Sequence, residues 1–350
     1  MHIKGASERS GCIMKTKLRM VAAVLCISAL LSVFSCSSPD PMPKNRVFYD
    51  YFDTITTVYD YTGCSEEDFS RLAARVEGEL SEYHRLYDIY NEYEGITNLA
   101  TLNRTAGRGP QKVDSKIIKM LLFSKEMYNL TGGKVNIAMG SVTKIWHDYR
   151  TEGVSVPPMD MLRVAAEHTD IENLVIDEEN MTVELKDAGM RLDVGAIAKG
   201  YAVEMIASSL LDDRYTGYIL DVGGNIRAVG QKPSGAGWTC GVRNPNTSST
   251  QTYVYKSELK NSAMSTSGVY ERFYTVDGIN YHHIISSDTL MPENRYLSVS
   301  IRANSSALSD ALSTAVFNMP PDEAKSFVNG LTGVLAVLVM SSGEVVTVGE

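Results

Sequence analysis

Asp310 and Thr314 carry oxygen atoms at a spacing that lets both reach one hard cation. They lie four residues apart in the segment SDALSTAVF, which we predict to be helical. Residues at this spacing share one face of a helix, with their Cβ atoms about 6 Å apart. Mg²⁺ takes one or two protein oxygens and completes its shell with phosphate and water. The same pair is also common on ordinary helices, so spacing alone leaves a metal site and a plain helix face as alternatives.

His283 is the candidate general base, because histidine titrates near neutral pH and can accept a hydroxyl proton. If its segment, YHHII, is a strand, then neighbouring side chains point to opposite faces, and His282 and His283 would lie on different sides of a sheet. A strand histidine that is simply packed among its neighbours is the alternative.

The segment LDVGAIAKGY, residues 192–201, predicts a strand that ends in a turn of small residues, with a helix beginning at that turn. Backbone N–H groups at a helix start suit a phosphate, and Lys199 in the first turns adds positive charge. The glycine and lysine spacing of a P-loop is absent. A tight strand-to-helix turn without a ligand is the alternative.

Two more segments combine glycine with polar residues. Gly223 and Gly224 in DVGGNIR let a ligand or another backbone approach closely, or form a bulged turn between strands. Thr266, Ser267 and Gly268 in STSGVYER offer hydroxyl donors to a phosphate and would equally suit a loop. Each signal is weak alone, and its meaning depends on what else lies beside it.

Residues 1–35 predict a secretory signal that precedes a lipid attachment site. Basic residues come before an apolar run of about fifteen residues at 20–34, which is short for a membrane span. Ser35 followed by Cys36 resembles a bacterial lipobox, which implies cleavage before Cys36 and lipidation of its thiol. An uncleaved anchor helix is the alternative. The expected product is a cell membrane lipoprotein on the extracytoplasmic, periplasmic face.

The rest of the chain divides into a tether and one folded domain. Residues 36–46 are polar and proline-rich, as expected of a tether, and residues 47–350 are long enough for one catalytic domain. Without residues 1–35, which carry five basic and one acidic side chains, the formal net charge changes from −9 to −13. This charge argues against nucleic-acid binding. Cys64 and Cys240 could form a disulfide or stay free thiols, and zinc spacing is absent.

The pattern of elements predicts an α+β fold. Ser65 and Asp68 form a capping-box pattern before a helix at 66–87, whose apolar residues recur at helical spacing. Strands and helices follow one another without the regular alternation of a doubly wound sheet. The other predicted elements are a strand or hairpin at 47–63, helices at 116–130, 197–211, 307–317 and 321–329, and strands at 174–177, 181–186, 218–222, 238–242, 297–302, 334–340 and 344–348.

Eight segments, taken in order, resemble the ApbE family of FAD:protein FMN transferases. The run DVGAIAKGYA at 193–202 is the most specific of them, and the similarity extends over nearly all of residues 47–350. Eight blocks in the family's order argue against chance similarity. The other blocks are FDT at 52–54 with TV at 57–58, TNL at 97–99 with LN at 102–103, residues 133–140, VGGNI at 222–226, TSG at 266–268 with YER at 270–272, HII at 283–285, and DALSTA at 310–315.

The resemblance implies a metal site, a flavin cleft and a base. In the family, Mg²⁺ is bound by a carboxylate and a hydroxyl that match Asp310 and Thr314, together with a backbone carbonyl that matches Ala196. His283 matches a histidine thought to assist the attacking threonine. The residues that the resemblance assigns to the FAD cleft are Asn98, Asp193, Ala196, Lys199, Gly223, Gly224, Thr266, Ser267 and Gly268.

The implied reaction is Mg²⁺-dependent transfer of FMN from FAD to a threonine hydroxyl of a partner flavoprotein, with release of AMP. Acceptors in the family carry a threonine-containing motif and include membrane redox subunits, which a lipid-anchored enzyme could meet. Two alternatives use the same cleft. One is a Mg²⁺-dependent FAD pyrophosphatase that gives FMN and AMP, and the other is a non-catalytic FAD-binding lipoprotein.

The chain departs from the family pattern after His283. Ser286 stands where Asp is usual, and Asn136 stands where many members carry Asp. If the usual carboxylate orients the histidine, Asp288 could take over that role from two positions further on. These changes bear on the rate and on the choice of acceptor more than on the fold or on flavin binding.

Overall fold

A large antiparallel sheet is the frame of the domain. The computed structural model describes residues 42–350, so the predicted signal, Cys36 and most of the predicted tether lie outside the described residues. The first described strand begins at Lys44, three residues before the predicted start of the domain at Val47. Helices and strands are mixed along the chain, as an α+β fold requires.

The sheet is built from strands that are far apart in sequence. In chain order the strands are β1 (Lys44–Tyr51), β2 (Thr54–Asp60), β3 (Gln111–Lys112), β4 (Leu174–Asp177), β5 (Thr182–Leu185), β6 (Tyr218–Val222), β7 (Asn225–Val229), β8 (Trp238–Arg243), β9 (Tyr253–Leu259), β10 (Ala263–Gly268), β11 (Phe273–Val276), β12 (Ile279–His282), β13 (Tyr296–Ala303), β14 (Leu335–Met340) and β15 (Val345–Gly349). The main sheet has eight strands in the order β1-β2-β6-β7-β10-β13-β14-β15, and its neighbours are antiparallel. The small sheets are β3-β5-β4, β8-β9 and β11-β12.

Helices cover the sheet and carry much of the apolar core. In chain order they are α1 (Glu66–Tyr87), α2 (Leu99–Arg104), α3 (Ser115–Leu130), α4 (Gly140–Glu152), α5 (Met159–Ala166), α6 (Ala198–Asp212), α7 (Ser306–Asn318) and α8 (Pro321–Asn329), with a 3₁₀ turn at Ile171–Asn173. The buried apolar residues of α1, α3, α6 and α7 join those of the main sheet in one cluster.

Helix α1 begins and ends where its sequence predicts. Ser65 is the N-cap, and its Oγ accepts a hydrogen bond from the Asp68 N–H at 3.0 Å. Acidic residues in the first turn and Arg85 in the last turn complement the helix dipole. Its apolar residues at helical spacing, Phe69 and Leu72 among them, are buried.

Helices α6 and α7 pack very closely, and a glycine makes this possible. A Cβ at Gly200 would collide with the Asp310 side chain and would lie 2.5 Å from the Ser306 carbonyl oxygen. The same two helices are linked through Glu204, which forms a buried ion pair with Arg227 at 3.0 Å and also accepts the Ser306 N–H at 2.6 Å. The position of α7 is therefore fixed by α6 and by strand β7.

The structure differs from the prediction at segments with weak apolar patterns. Helices α2, α4 and α5 and several strands were not predicted from the sequence. Residues 265–268 in particular are the end of strand β10, in the middle of the main sheet, rather than a loop. The hydroxyls of Ser265, Thr266 and Ser267 each pair with a hydroxyl of a neighbouring element. These pairs satisfy the polar atoms that the strand brings into the sheet.

Cys64 and Cys240 are free thiols, so the disulfide alternative does not hold in this structure. Burial, reinforced by the charge of Asp221, raises the pKa of the Cys240 thiol to about 12. Within residues 42–350, no helix has the length and apolar character needed to span a bilayer.

Candidate functional site

The predicted site segments meet in one cleft with a volume of about 980 Å³. The start of α6, the turn between β6 and β7, strand β10, the segment after β12, and helix α7 all contribute to its walls. The predicted residues that line it are Asp193, Ala196, Lys199, Gly223, Gly224, Thr266, Ser267, Gly268, His283, Asp310 and Thr314. The fold thus brings together residues that are spread over more than a hundred positions of sequence.

Asn98 is the exception, and the prediction that it lines the cleft is wrong. Its side chain is fully buried and caps helix α2, with Oδ1 accepting the Thr101 N–H at 3.0 Å. Its Nδ2 donates to the carbonyls of Arg85 and Asn91 at 3.0 and 2.8 Å. An asparagine directly before a helix is also the usual pattern of an N-cap. This capping role, together with the two donated hydrogen bonds, uses the oxygen and the nitrogen of the Asn98 amide.

Asp310 caps the start of helix α6. Gly200 is the third residue of this helix, so its N–H is one of the first-turn groups that have no acceptor within the helix. It donates to Asp310 Oδ2 at 2.8 Å. The Ala196 carbonyl lies just before the N-cap residue Ile197 and has no hydrogen-bond partner in the described part of the chain. A carboxylate and an unused carbonyl therefore lie at the same helix start, and both residues line the cleft.

Burial and nearby positive or hydrogen-bonding groups have opposite effects on the pKa of Asp310. Burial raises the pKa of this carboxyl, whereas Lys199, the Gly200 N–H and the Asn225 side chain lower it. A buried carboxylate is stable only when it is paired or hydrogen-bonded. A cation bound beside it would add to this compensation.

The donor set around Asp310 fits a hard cation such as Mg²⁺. Asp310, Thr314 and the Ala196 carbonyl offer oxygen only, and all three residues line the cleft. Among residues 42–350 there is no cluster of three His, Cys, Asp or Glu side chains that could hold a metal through protein groups alone. Mg²⁺ commonly binds through one carboxylate and completes its shell with substrate phosphate and water, so a sparse set of oxygens is the appropriate one.

The glycine pair between β6 and β7 forms a tight hairpin turn rather than a bulged one. Val222 pairs with Asn225, and Gly223 and Gly224 have φ values of 57° and 86°. Two positive φ angles in a two-residue loop are those of a type I′ turn. A side chain at Gly223 would collide with Thr54, so the turn brings bare backbone to the cleft.

His282 and His283 point in different directions, as predicted, although His283 lies just beyond the end of strand β12. His282 is buried, with Nε2 donating to the Glu293 carbonyl at 3.0 Å and Nδ1 accepting the Ile284 N–H at 3.2 Å. His283 is exposed to the cleft, and its Nδ1 lies 3.2 Å from the Arg272 carbonyl. Since a carbonyl only accepts, Nδ1 carries the proton and Nε2 is the free acceptor.

The surroundings of His283 favour its neutral form. Loss of bulk water around the ring is the main cause, followed by the positive charges of Lys199 and Arg272, and together they lower its pKa to about 3. The imidazole is therefore uncharged at pH 7 and able to accept a proton.

The residues that depart from the family pattern have structural roles. Ser286 is buried, and its Oγ accepts the Asp288 N–H at 3.2 Å, which closes the turn after the histidine. Asp288 binds Lys134 at 2.5 Å, so the hypothesis that it orients His283 is wrong. Asn136 accepts the Ala138 N–H at 2.9 Å and donates to the Thr169 carbonyl. The local turn geometry is thus kept without the usual carboxylates.

Five of the cationic side chains that line the cleft have no carboxylate partner in the described part of the chain. Four of these five, all except Lys199, were not predicted from the sequence. The five are Arg150, Arg191, Lys199, Arg243 and Arg272. Burial lowers the pKa of Arg150, and the charge of Arg272 acts in the same direction. The lining as a whole carries seven acidic and seven basic side chains, so an anionic ligand would be attracted by these five cations rather than by a net positive charge. Only Arg272 and Lys199 lie in matched segments, so no sequence signal pointed to the other three arginines.

The chain is similar in sequence to known proteins of one family. The family model described as "ApbE family" matches residues 52–339. A FAD:protein FMN transferase of Treponema pallidum (strain Nichols) is 32% identical over 287 residues, which cover 77% of this chain and 79% of that protein. A protein of the same name from Klebsiella pneumoniae (strain 342) is 26% identical over 270 residues, which cover 75% of this chain and 83% of that protein.

Solved structures share the architecture. The ApbE protein from Thermotoga maritima superposes with a TM-score of 0.77 at 24% identity, over 88% of this chain and 97% of that chain. The flavin transferase ApbE from Vibrio cholerae gives a TM-score of 0.73 at 21% identity, over 88% and 98%. At these identities the likeness concerns the fold alone, and it confirms the predicted α+β class.

Proposed function

The chain belongs to the ApbE family, and from this premise we propose that it transfers FMN from FAD to a threonine hydroxyl of a partner flavoprotein in a Mg²⁺-dependent reaction that releases AMP. Membership confirms the resemblance found in the sequence and the prediction of an enzyme, a FAD:protein FMN transferase. The metal and the threonine acceptor are parts of the proposal, and the geometry of the cleft supports them.

The observation that carries the proposal is the pair of oxygen donors at the start of α6. The Gly200 N–H holds the Asp310 carboxylate there, the Ala196 carbonyl at the same helix start has no hydrogen-bond partner among the described residues, and Thr314 lies one turn further along α7. Asp310, Thr314 and the Ala196 carbonyl would hold Mg²⁺. When bound there, Mg²⁺ neutralises and orients a pyrophosphate.

The chain's own residues would position the substrate. Lys199 and the cleft arginines offer positive charge to the two phosphates of FAD, and the Gly223-Gly224 turn offers backbone without side chains. In phosphoryl transfer most of the rate comes from such positioning and charge stabilisation. Cations without ion-pair partners in an otherwise acidic protein would in this way favour an anionic nucleotide at the cleft.

His283 would act on the acceptor. With its proton on Nδ1 and the Arg272 carbonyl fixing the ring, Nε2 is free to take the proton of the threonine hydroxyl. The threonine oxygen then forms a bond to the FMN-side phosphorus, and the bond from that phosphorus to the AMP oxygen breaks. The products are the FMN phosphoester of the acceptor, AMP and one proton.

The test uses the purified protein with FAD and Mg²⁺, with and without a recombinant acceptor domain that carries the threonine motif. The acceptor is read by intact mass and in-gel flavin fluorescence, and the solution by chromatography of AMP and FMN. We expect an FMN-sized mass gain that is lost with EDTA. Asp310→Asn should lower the rate by about 100-fold or more, since metal stabilisation of the transition state is worth several kcal/mol.

The matched control is Asp160→Asn, because Asp160 is an exposed residue of helix α5, and its rate should be unchanged. Changing the acceptor threonine to valine should abolish the mass gain. Release of AMP and free FMN in equal amounts without a modified acceptor would instead establish the FAD pyrophosphatase. Tight FAD binding without any AMP would leave only the flavin-binding lipoprotein.

We also propose that the enzyme acts at a membrane on the extracytoplasmic side, held by a lipid on Cys36. The support for this is the signal pattern of residues 1–35 and the Ser35-Cys36 pair. A tethered enzyme would meet acceptors that are themselves subunits of membrane redox complexes.

A further inference from the structure

Strand β10 and helix α7 are joined by two pairs of serine hydroxyls. Ser265 Oγ lies 2.8 Å from Ser309 Oγ, and Ser267 Oγ lies 2.8 Å from Ser313 Oγ. The pairs repeat because two residues along a strand and four along a helix cover nearly the same distance, about 6–7 Å. The second pair has one additional neighbour, since Ser267 Oγ also lies 3.2 Å from Thr314 Oγ1.

One arrangement of protons satisfies every contact of the second pair at the same time. Ser313 Oγ lies 2.9 Å from the Asp310 carbonyl oxygen, which can only accept, so the single hydroxyl proton of Ser313 is used there. In this arrangement Ser267 donates to Ser313. Because its proton is used as well, Ser267 can only accept from Thr314. The proton of Thr314 therefore points toward Ser267 and away from the rest of the cleft.

We propose that Ser313 and Ser267 are positioning residues that orient the Thr314 hydroxyl for a cation. With its proton directed to Ser267, Thr314 keeps its lone pairs for a metal ion held by Asp310. The inference rests on the proposed function, because it deepens the metal site assumed there. We call the chain of hydrogen bonds from Thr314 through Ser267 and Ser313 to the Asp310 carbonyl the hydroxyl relay. Because the relay ends on the backbone of Asp310, this one residue supplies the carboxylate and also sets the orientation of the second ligand.

Loss of Ser313 should reverse the relay. In Ser313→Ala, the Ser267 hydroxyl has no acceptor on α7 other than Thr314, and donation to Thr314 would turn the threonine proton toward the cation. Ser313 is fully buried and does not line the cleft, so a change in metal affinity would have to act through Thr314. We expect Mn²⁺ affinity to fall about five- to tenfold, which is the scale of one neutral hydrogen bond.

The experiment titrates Mn²⁺ alone against the full-length protein in detergent and reads free Mn²⁺ by electron paramagnetic resonance. The matched control is Ser309→Ala, because Ser309 is equally buried, bonds to a backbone carbonyl of its own helix and pairs with Ser265, but does not contact Thr314. Both variants should lose a similar few degrees in melting temperature, and only Ser313→Ala should lose Mn²⁺ affinity.

A double-mutant cycle distinguishes orientation from general loosening of α7. Thr314→Val removes the oriented hydroxyl, so Ser313→Ala should have no further effect on Mn²⁺ affinity in that background. Equal losses in Ser313→Ala and Ser309→Ala, or additive losses in the double variant, would overturn the relay. Absence of Mn²⁺ binding to the wild-type protein would overturn the proposed metal site itself, which separates the two failures.

Discussion

Two adjacent histidines show that contacts, rather than residue type, decide what a side chain can do. His282 has both ring nitrogens bonded to the backbone of its own loop. His283 has one nitrogen bonded and the other free in the cleft, beside Lys199 and Arg272. Only His283 can exchange a proton with a ligand. The neutral form of His283 follows from its burial and from the nearby positive charges. A change in those charges should therefore change its pKa.

Arg272→Gln should raise the pKa of His283. Removing a positive charge makes protonation of the ring easier, so the pKa moves from its lowered value back toward the ordinary value near 6.5. Because His283 must be neutral to act as a base, activity should be lost at a higher pH in the variant than in the wild type as the solution is acidified. The measurements are the pH profile of kcat/KM and the histidine ring resonances in NMR.

Arg163→Gln is the control for this prediction, because Arg163 is an exposed arginine of helix α5 and has no part in the cleft. Its acidic limb should coincide with that of the wild type. An acidic limb that is identical in Arg272→Gln and in the wild type would mean that His283 is not the group whose protonation stops the reaction.

At the scale of elements, the site depends on how closely α6 and α7 approach. Gly200 allows this approach, and the Glu204–Arg227 ion pair holds the start of α7 against α6 and β7. Both members of the ion pair are largely buried, so neither could be removed without leaving an unpaired charge. Asp310 and Thr314, the side chains proposed to bind the metal, thus lie on a helix that these contacts fix in position.

Gly200→Ala should destabilise the domain by about 2–3 kcal/mol, the usual scale for forcing an extra carbon into a packed contact. The new Cβ would overlap Asp310 and the backbone of Ser306, so α7 would have to move and Mn²⁺ affinity should fall with stability. Chemical denaturation and the Mn²⁺ titration measure the two effects.

Gly78→Ala is the matched control, since Gly78 is also a helical glycine but a Cβ at this position would have no other atom within 4 Å. It should gain up to about 1 kcal/mol, because alanine favours a helix over glycine. If Gly200→Ala were as well tolerated as Gly78→Ala, the close approach of α6 and α7 would not be needed for the site.

Elements whose caps and apolar spacing lie within one segment could be predicted from the sequence. Elements and site residues that depend on contacts with distant segments could not. Helix α1 was predicted because its cap and its apolar spacing lie within one segment. Strand β10 was missed because Ser265 and Ser267 have their partners on α7 and Thr266 has its partner on β13, all of them far away in sequence. The same reason applies in the site: Lys199 lies in a motif, whereas Arg150 and Arg243 reach the cleft from segments without one.

At the scale of the whole molecule, charge is unevenly distributed. The chain has a formal net charge of −9, yet its cleft contains five cationic side chains without ion-pair partners among residues 42–350. Cations without ion-pair partners in the cleft of an acidic protein favour an anionic nucleotide there, and the acidic surface elsewhere disfavours its binding. An acidic surface also disfavours nonspecific contact with anionic lipid, so we expect retention at a membrane to come from residues 1–36, through the lipid on Cys36 that we propose or through an uncleaved anchor helix.

Cys36→Ser should therefore release the protein from membranes. If Cys36 carries the lipid, the wild-type protein should be labelled by a clickable palmitate analogue and should stay in the membrane fraction after a carbonate wash. The variant should lose the label and move to the soluble fraction, because acyl chains supply about 0.8 kcal/mol for each buried methylene group. Cys64→Ser is the control, since Cys64 is a free thiol within the folded domain, and it should keep both the label and the membrane location. A Cys36→Ser protein that stays in the washed membranes without a label would favour the uncleaved anchor helix over the lipid.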